Sequence, residues 1–374
     1  MNCVKCNADN KLKDRKVAGG RCTNCRHEFA FDPKVMSGID FTDRFFQQTL
    51  ANTSVNDTLF FTPAQLYYSF NHRRNVKKYH PLQKTGGCTL AAIVALFVFF
   101  GLTLGFSLVW FLPLILLTGF AVALLTSSNL RRKLAGVRVQ ELDVPPEKVD
   151  AWYKRWSKIN GPSQKLLAPL ISEAKDPHPI SEELRKYSFD RAVICDRAEI
   201  AQFLIANNFH FEYNCAVLSI DGYPHDISKT VMQMLRTNPA LSVYALHDAS
   251  VDGLEMVHKL RTSSDWFAGS TAKIFDLGLL PRQIFNRSVF VEWRLRTAEA
   301  LPPHLAATLQ PEEVRWFEAG NFVALESFSP KMLLRVVTQG ISKSRDPQAS
   351  DALAPVGTEM DGGFFYFYAF DSFG

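Results

Sequence analysis

The sequence predicts a multidomain protein that consists of a small cysteine-rich module, a transmembrane helical hairpin and a C-terminal α/β domain with a parallel sheet. Three observations predict this organisation. Two CxxC pairs open the chain, an uncharged apolar run covers residues 89–126, and four short apolar runs between residues 190 and 280 each end on an aspartate. A chain of 374 residues is long enough for two or three domains.

Changes in composition divide the chain into five predicted segments. These are a cysteine-rich module at 1–35, a small helical segment at 36–84, the hairpin at 88–127, a linker with an amphipathic helix at 128–188, and the α/β domain with a C-terminal extension at 189–374. In the linker, Trp152, Tyr153 and Trp156 interleave with basic residues. Its helix is therefore expected either to lie at a membrane surface or to pack on the next domain.

The first segment has the ligand spacing of a metal site. Cys3, Cys6, Cys22 and Cys25 form two CxxC hooks, which can bring four thiolates to one tetrahedral zinc ion, and the segment resembles a zinc ribbon. So short a segment cannot bury a core of its own, so the zinc ion would be structural and would supply most of the folding free energy. The total of seven cysteines is odd, which argues against a disulfide framework.

The same segment is basic. Its lysines and arginines fit docking to nucleic acid or to a partner protein, although a small module can also serve only to pack on a neighbouring domain. The basic residues in its first 29 positions are Lys5, Lys11, Lys13, Arg15, Lys16, Arg21 and Arg26.

The apolar run at 89–126 predicts a membrane anchor. One span needs about 20 residues, so a run of nearly twice that length predicts two short helices, either fully spanning or re-entrant. Basic residues lie on both sides of the run, and the positive-inside rule then places both flanks in the cytosol. The prediction is a protein at the cytoplasmic face of the cell membrane with both termini cytosolic. A buried pair of helices in a soluble core is the alternative.

After residue 190, apolar runs alternate with helical stretches, which is typical of a parallel sheet with crossover helices. All strands of such a sheet end at one edge, where ligands bind, so Asp196, Asp221, Asp248 and Asp276 are expected along that edge. A single aspartate after a strand usually caps a helix. Several together repel one another, and a divalent cation such as Mg²⁺ offsets that repulsion.

The stretch ALHDASVDGLEMV resembles the second signature of Toprim domains, in which a strand ends in Asp-x-Asp and a glycine follows before a helix. Asp248 matches the first acid and Gly253 matches the glycine. Ser250 stands where the second acid is expected, and Asp252, displaced by two residues, could substitute for it.

The first Toprim signature is a glutamate after the first strand, and Asp196 stands at that position with Glu199 one helical turn further on. The later stretches FDLGLLP and NFVALESFSPKMLLRVV are similar to the Toprim domains of topoisomerase VI A subunits and of the nuclease subunit of Wadjet-type defence systems. The resemblance covers roughly residues 190–340. It implies a Mg²⁺ site at Asp196, Asp248 and Asp252, with Glu199 as the catalytic base.

Two functions remain open at this point. The favoured one is a membrane-anchored binding or scaffold protein with a zinc ribbon and a degenerate Toprim-like domain, associated with nucleic acid or a partner protein, because Ser250 replaces an acid. The alternative is a Mg²⁺-dependent nuclease or phosphoryl-transfer enzyme, because the acids share one edge. The phosphate loops GxGxxG and GxxxxGK are absent from the sequence, so no cofactor-binding residues are predicted.

Overall fold

The computed structural model describes residues 1–36, 38–75, 142–170, 190–225, 228–238, 240–285, 289–293 and 301–343. No helix in these ranges is both long enough and apolar enough to cross a bilayer. This finding contradicts the predicted membrane-spanning fold, the predicted membrane association and the predicted location at the cytoplasmic face of a membrane. The predicted hairpin at 88–127, on which all three predictions rested, lies outside the described residues.

The helix of the predicted linker lies within the described residues. It covers Pro146–Asn160 and has 15 residues, fewer than the roughly 20 that a span needs. Val149 and Trp156 are buried on one of its faces, and Trp156 belongs to a core of aromatic residues. The linker helix therefore packs on neighbouring parts of the chain, which was one of the two arrangements expected for it.

The N-terminal part contains α1 (Leu12–Val17), α2 (Asp43–Thr53), α3 (63–75) and α4 (Pro146–Asn160). Helix α2 begins where the Thr42 hydroxyl accepts a hydrogen bond from the Phe45 N–H at 3.2 Å. Helix α3 begins where Thr62 Oγ1 accepts a hydrogen bond from the Gln65 N–H at 3.1 Å. Both caps satisfy backbone donors that a helix N-terminus leaves unpaired.

Aromatic side chains hold these helices together. The rings of Phe31 and Trp156 stack with centroids 6.3 Å apart, and Phe41 meets Trp152 edge-on at 4.8 Å. Each aromatic pair adds about 0.5–1.5 kcal/mol to the free energy gained from burial alone. Because Phe31 follows the cysteine hooks directly, the same core anchors the cysteine-rich module to the helices.

The C-terminal part is built on strands β1 (Arg191–Cys195), β2 (Cys215–Ser219), β3 (Ser242–Leu246) and β4 (Lys273–Gly278). All are parallel and lie in the order β2-β1-β3-β4, so the predicted parallel sheet is present. Strand β2 is buried along its whole length, as expected for a strand covered by helices on both faces. The strand order places β1 beside β3, with Cys195 opposite Leu246, so the residues that follow these two strands are neighbours.

Helices and a short strand pair complete this part. They are α5 (Ala198–Ala206), α6 (Phe209–Glu212), α7 (Ser228–Thr237), α8 (Val251–Thr262), α9 (Pro281–Ile284), β5 (Glu292–Trp293), α10 (Pro303–Ala306), α11 (Pro311–Glu318), β6 (Asn321–Phe322), a 3₁₀ turn at Leu325–Ser327 and α12 (Pro330–Lys343). An isolated bridge joins Ala249 to Val323. This bridge lays the 3₁₀ turn, with Glu326 in it, against the end of β3.

Candidate metal centre and acidic edge

The two cysteine hooks have the same backbone conformation. The Asn7 N–H donates to the Cys3 carbonyl and the Arg26 N–H donates to the Cys22 carbonyl, each at 2.9 Å. Asn7 and Arg26 both adopt the left-handed region, with φ of 59° and 60°. Each hook is thus a tight turn that directs both of its sulfurs to one side, and α1 connects the two turns.

The four sulfurs converge on one point. Cys3 Sγ lies 3.7 Å from Cys25 Sγ, and Cys6 Sγ lies 3.6 Å from Cys22 Sγ. A tetrahedral zinc ion with Zn–S bonds of about 2.3 Å separates its sulfur ligands by roughly 3.8 Å, so these distances fit. The four cysteines can therefore hold a metal ion such as zinc. Within the described ranges, they are the only group of three or more ligand side chains placed to share an ion.

Hydrogen-bond donors support the thiolate form of one of these cysteines. The buried Asn10 accepts a hydrogen bond from the Thr23 N–H at 2.9 Å, which turns its amide nitrogen toward Cys22 Sγ at 3.4 Å. Burial alone would raise the pKa of Cys22, but the backbone N–H groups of Cys25 and Asn24 and the Asn10 amide together lower this pKa to about 6. This arrangement suits a sulfur that binds a cation as the thiolate.

Arg15 has a structural role rather than the docking role considered for it. Its side chain is buried, and its Nε and Nη2 donate to the two carboxylate oxygens of Asp32 at 3.0 Å each. The remaining Nη1 donates to the Asn10 carbonyl at 2.8 Å. A bidentate pair of this kind specifies geometry as well as adding energy, so Arg15 connects α1 to the segment that leaves the second hook.

The other basic residues of the module lie on its surface. The module's ion pairs among the described residues join Met1 to Asp9 and Arg15 to Asp32, so these surface cations have no ion-pair partner in the described part of the chain. They are Lys5, Lys11, Lys13, Lys16, Arg21, Arg26 and Lys34. The module therefore presents a positively charged surface around the cysteine cluster.

At the carboxyl edge of the sheet, three carboxylates surround one arginine. Arg197 Nη2 lies 3.0 Å from Asp248 Oδ1 and also contacts Glu326 Oε2, while Arg197 Nε lies 3.9 Å from Asp196 Oδ1. The Asp248 N–H donates to Asp196 Oδ2 at 2.8 Å, and the Leu325 N–H donates to Asp248 Oδ1 at 2.7 Å. Asp196 and Asp248 thus lie together at this edge, where a backbone N–H holds one oxygen of Asp196, and Arg197 and a second backbone N–H hold one oxygen of Asp248.

Burial dominates the ionisation of these three carboxylates. Burial raises the pKa of Asp248 to about 6, and the neighbouring Asp196 adds to the shift while Arg197 opposes it. Burial also raises the pKa values of Asp196 and Glu326, again against the effect of Arg197. The single positive charge of Arg197 therefore does not balance the negative charges of three buried carboxylates. As the pH falls, these carboxylates bind protons, which neutralise part of the remaining charge.

A second ion pair lies beside this cluster. The fully buried His247 places its Nε2 3.0 Å from Asp276 Oδ1 and its Nδ1 2.7 Å from the Asp248 carbonyl. Burial alone would lower the pKa of His247, but Asp276 raises it to about 9. Burial alone would raise the pKa of Asp276, but His247 lowers it. Asp276 therefore also has an internal counter-charge.

The other predicted site residues do not join the cluster. Asp252 and Glu199 are exposed in the first turns of α8 and α5, where an acid interacts favourably with the helix dipole. Asp221 is exposed as well. Ser250, at the position of the second signature acid, accepts a hydrogen bond from the Gly253 N–H at 3.0 Å and caps α8.

Sequence reasoning missed Arg197 and Glu326. Arg197 follows Asp196 directly, and an adjacent base was a usable signal for a paired carboxylate. Glu326 lies 129 residues from Arg197, and no local pattern connects the two.

No family model, no curated protein and no solved structure matches this chain. The resemblances to zinc ribbons and to Toprim domains therefore remain predictions that rest on the motifs quoted above.

Proposed function

We propose that this protein is a nucleic-acid-binding scaffold rather than a metal-dependent nuclease. In this proposal the cysteine module holds one structural zinc ion and presents its surface cations to the nucleic acid. The α/β domain is a degenerate Toprim-like domain that contributes a folded body and no catalytic metal.

The contacts of Arg197 carry the proposal. A guanidinium in contact with Asp248 and Glu326 occupies the position that a divalent cation needs, and its charge repels such an ion. Metal-assisted phosphodiester cleavage depends on carboxylate oxygens that are free to coordinate. The serine at position 250 supports the same conclusion, because its hydroxyl is used as a helix cap.

The surface of the cysteine module favours nucleic acid as the partner class. Five of its seven surface cations are lysines. Lysine is depleted at protein–protein interfaces, whereas phosphate backbones attract lysine and arginine through the release of condensed counterions. The structural zinc ion would keep these side chains on one rigid surface.

Binding to a labelled DNA oligonucleotide, measured by fluorescence anisotropy at several salt concentrations, tests the proposal. The test variant combines Lys11→Ala, Lys13→Ala and Lys16→Ala. The control variant combines Lys229→Ala, Lys259→Ala and Lys273→Ala, which remove the same charge from exposed positions of the α/β domain. We expect the test variant to bind single-stranded DNA more weakly, with a slope of log affinity against log salt reduced by about 2. Equal losses in both variants would refute a site on the module.

A Mg²⁺-dependent nuclease or phosphoryl-transfer enzyme is the second candidate, and one observation favours it. Asp196 Oδ1 is buried and has no hydrogen-bond partner in the described part of the chain. The discriminating assay follows cleavage of DNA with Mg²⁺ or Mn²⁺ in the native protein and in Asp248→Asn, which keeps the shape of the side chain. Cleavage that the substitution abolishes would support the enzyme, and absence of cleavage in both proteins would support the scaffold.

A further inference from the structure

A pocket of about 200 Å³ lies at the carboxyl end of β4, on the side of Asp276. One wall is a face of α8, on which Leu254, Val257, His258 and Arg261 follow at helical spacing. Residues of α9 and α10 form the opposite wall. Ligands of parallel α/β sheets bind at this edge, and the small volume suits a ligand of roughly one ring or less.

The floor of the pocket is apolar. Leu254, Leu280 and Leu305 line it, and each is at most 5% exposed. They belong to one buried cluster beneath the pocket. A ligand with an apolar body would gain free energy by covering the parts of these side chains that still face the cavity.

The charged residues that line the pocket are two arginines and one aspartate. Arg261 is exposed and is in none of the ion pairs found among the described residues, although its charge helps to lower the pKa of Asp276. Arg282 Nη1 contacts Glu313 Oε2 at 2.8 Å, but its side chain is 43% exposed and has further N–H donors to offer. The one acid in the lining, Asp276, is already paired with His247.

Two histidines form a polar rim. The rings of His258 and His304 lie 4.3 Å apart, and His304 Nε2 lies 3.0 Å from Glu255 Oε2. Both rings line the same pocket as the arginines. The pocket thus combines an apolar floor with converging donors, which is the composition of a site for a small polar ligand.

We propose that this pocket binds a small organic anion, whose phosphate or carboxylate group pairs with Arg261 and Arg282 and whose apolar body covers the leucine floor. This site is separate from the cysteine module and needs neither zinc nor nucleic acid. It adds a small-molecule ligand to a protein proposed above to bind a polymer.

Isothermal titration calorimetry of the full chain with phenyl phosphate, benzoate and inorganic phosphate tests the proposal. We expect phenyl phosphate or benzoate to bind more tightly than inorganic phosphate, because inorganic phosphate has no apolar part. The comparison of phenyl phosphate with benzoate distinguishes the two anionic groups. Arg261→Ala should weaken binding about tenfold, the usual effect of losing one charge-assisted hydrogen bond.

Lys259→Ala is the matched control, since it removes an exposed cation from α8 outside the pocket lining. It should leave the affinity unchanged. Equal affinity of the native protein and Arg261→Ala would overturn the proposal. Binding of inorganic phosphate at least as tight as that of both phenyl phosphate and benzoate would also overturn it. DNA binding by Arg261→Ala should match that of the native protein, so a failure of this site is distinguishable from a failure of the nucleic-acid proposal.

Discussion

The cysteine module and the acidic edge of the sheet both collect side chains that bind metals elsewhere, but the two regions use them differently. In the module four sulfurs lie within 4.8 Å of one another with no cationic group between them. At the edge three carboxylates surround Arg197. Two ligands within one short turn have a relative position that the local sequence fixes. For acids at the ends of separate strands, the tertiary structure decides which groups lie beside them.

The largest effect is expected for Cys22→Ser, which removes one of the four ligands. The hooks have a small core of their own, because their cluster buries Cys3, Cys22 and Phe29 among the described residues. Phe31 attaches the module to the rest of the protein, and the pair of Arg15 with Asp32 connects α1 to the segment that leaves the second hook. We expect loss of zinc and unfolding of the module, measured as metal content and as amide hydrogen exchange of the first 30 residues. His27→Ala is the control and should keep the metal, since this ring bonds to Asn160. Retention of zinc by Cys22→Ser would contradict the site.

A second substitution tests whether the edge becomes a metal site once its arginine is removed. Arg197→Leu leaves three buried carboxylates without a counter-charge, and we expect the free energy of unfolding at neutral pH to fall by about 3–5 kcal/mol. Added Mn²⁺ should restore part of this loss in the variant and should not stabilise the native protein. Urea titrations with and without Mn²⁺ provide the measurement.

Arg191→Leu serves as the control for this substitution, because Arg191 pairs with the exposed Asp190 and such pairs contribute about 0–1 kcal/mol. If Mn²⁺ stabilises the native protein as much as it stabilises the Arg197→Leu variant, Arg197 does not exclude the ion.

The smallest expected effect concerns the pH dependence of the edge. Asp248 has a pKa of about 6 in the folded protein, above its value in an unfolded chain, so the folded state binds the proton more tightly. Its contribution to stability is therefore fully present below about pH 4 and is lost as the pH rises through 6. Relative to Asp248→Asn, which stays neutral, the native protein should lose up to about 3 kcal/mol between pH 4 and pH 7.

The measurement is the difference in the free energy of unfolding between native protein and Asp248→Asn, obtained from urea titrations across this pH range. A difference that instead grows in favour of the native protein with rising pH would show that Arg197 outweighs burial. In that case Arg197 would neutralise the carboxylates of the edge without the help of bound protons.

Particular residues show how far the sequence could be interpreted. The CxxC hooks and the apolar strands were predictable because their patterns repeat over a few residues. Arg15 was counted among the docking cations, yet it is buried against Asp32. The sequence could not show this, because nothing in a cluster of basic residues indicates which one pairs with an acid. The predicted membrane association came from a run outside the described residues, and the described linker helix packs its tryptophans in a core instead.

The sequence alone predicts that the four cysteines converge and that Asp196 and Asp248 lie at one edge of the sheet. The spacing of the cysteine hooks and the short apolar runs are local properties of the sequence, so they predict the same local structure in any fold. The order of the strands and the groups that contact these two acids depend on the tertiary structure. The bridge between Ala249 and Val323 brings Glu326 to this edge, where Glu326 contacts Arg197. The energy of the buried acids therefore depends on groups that are remote in the sequence.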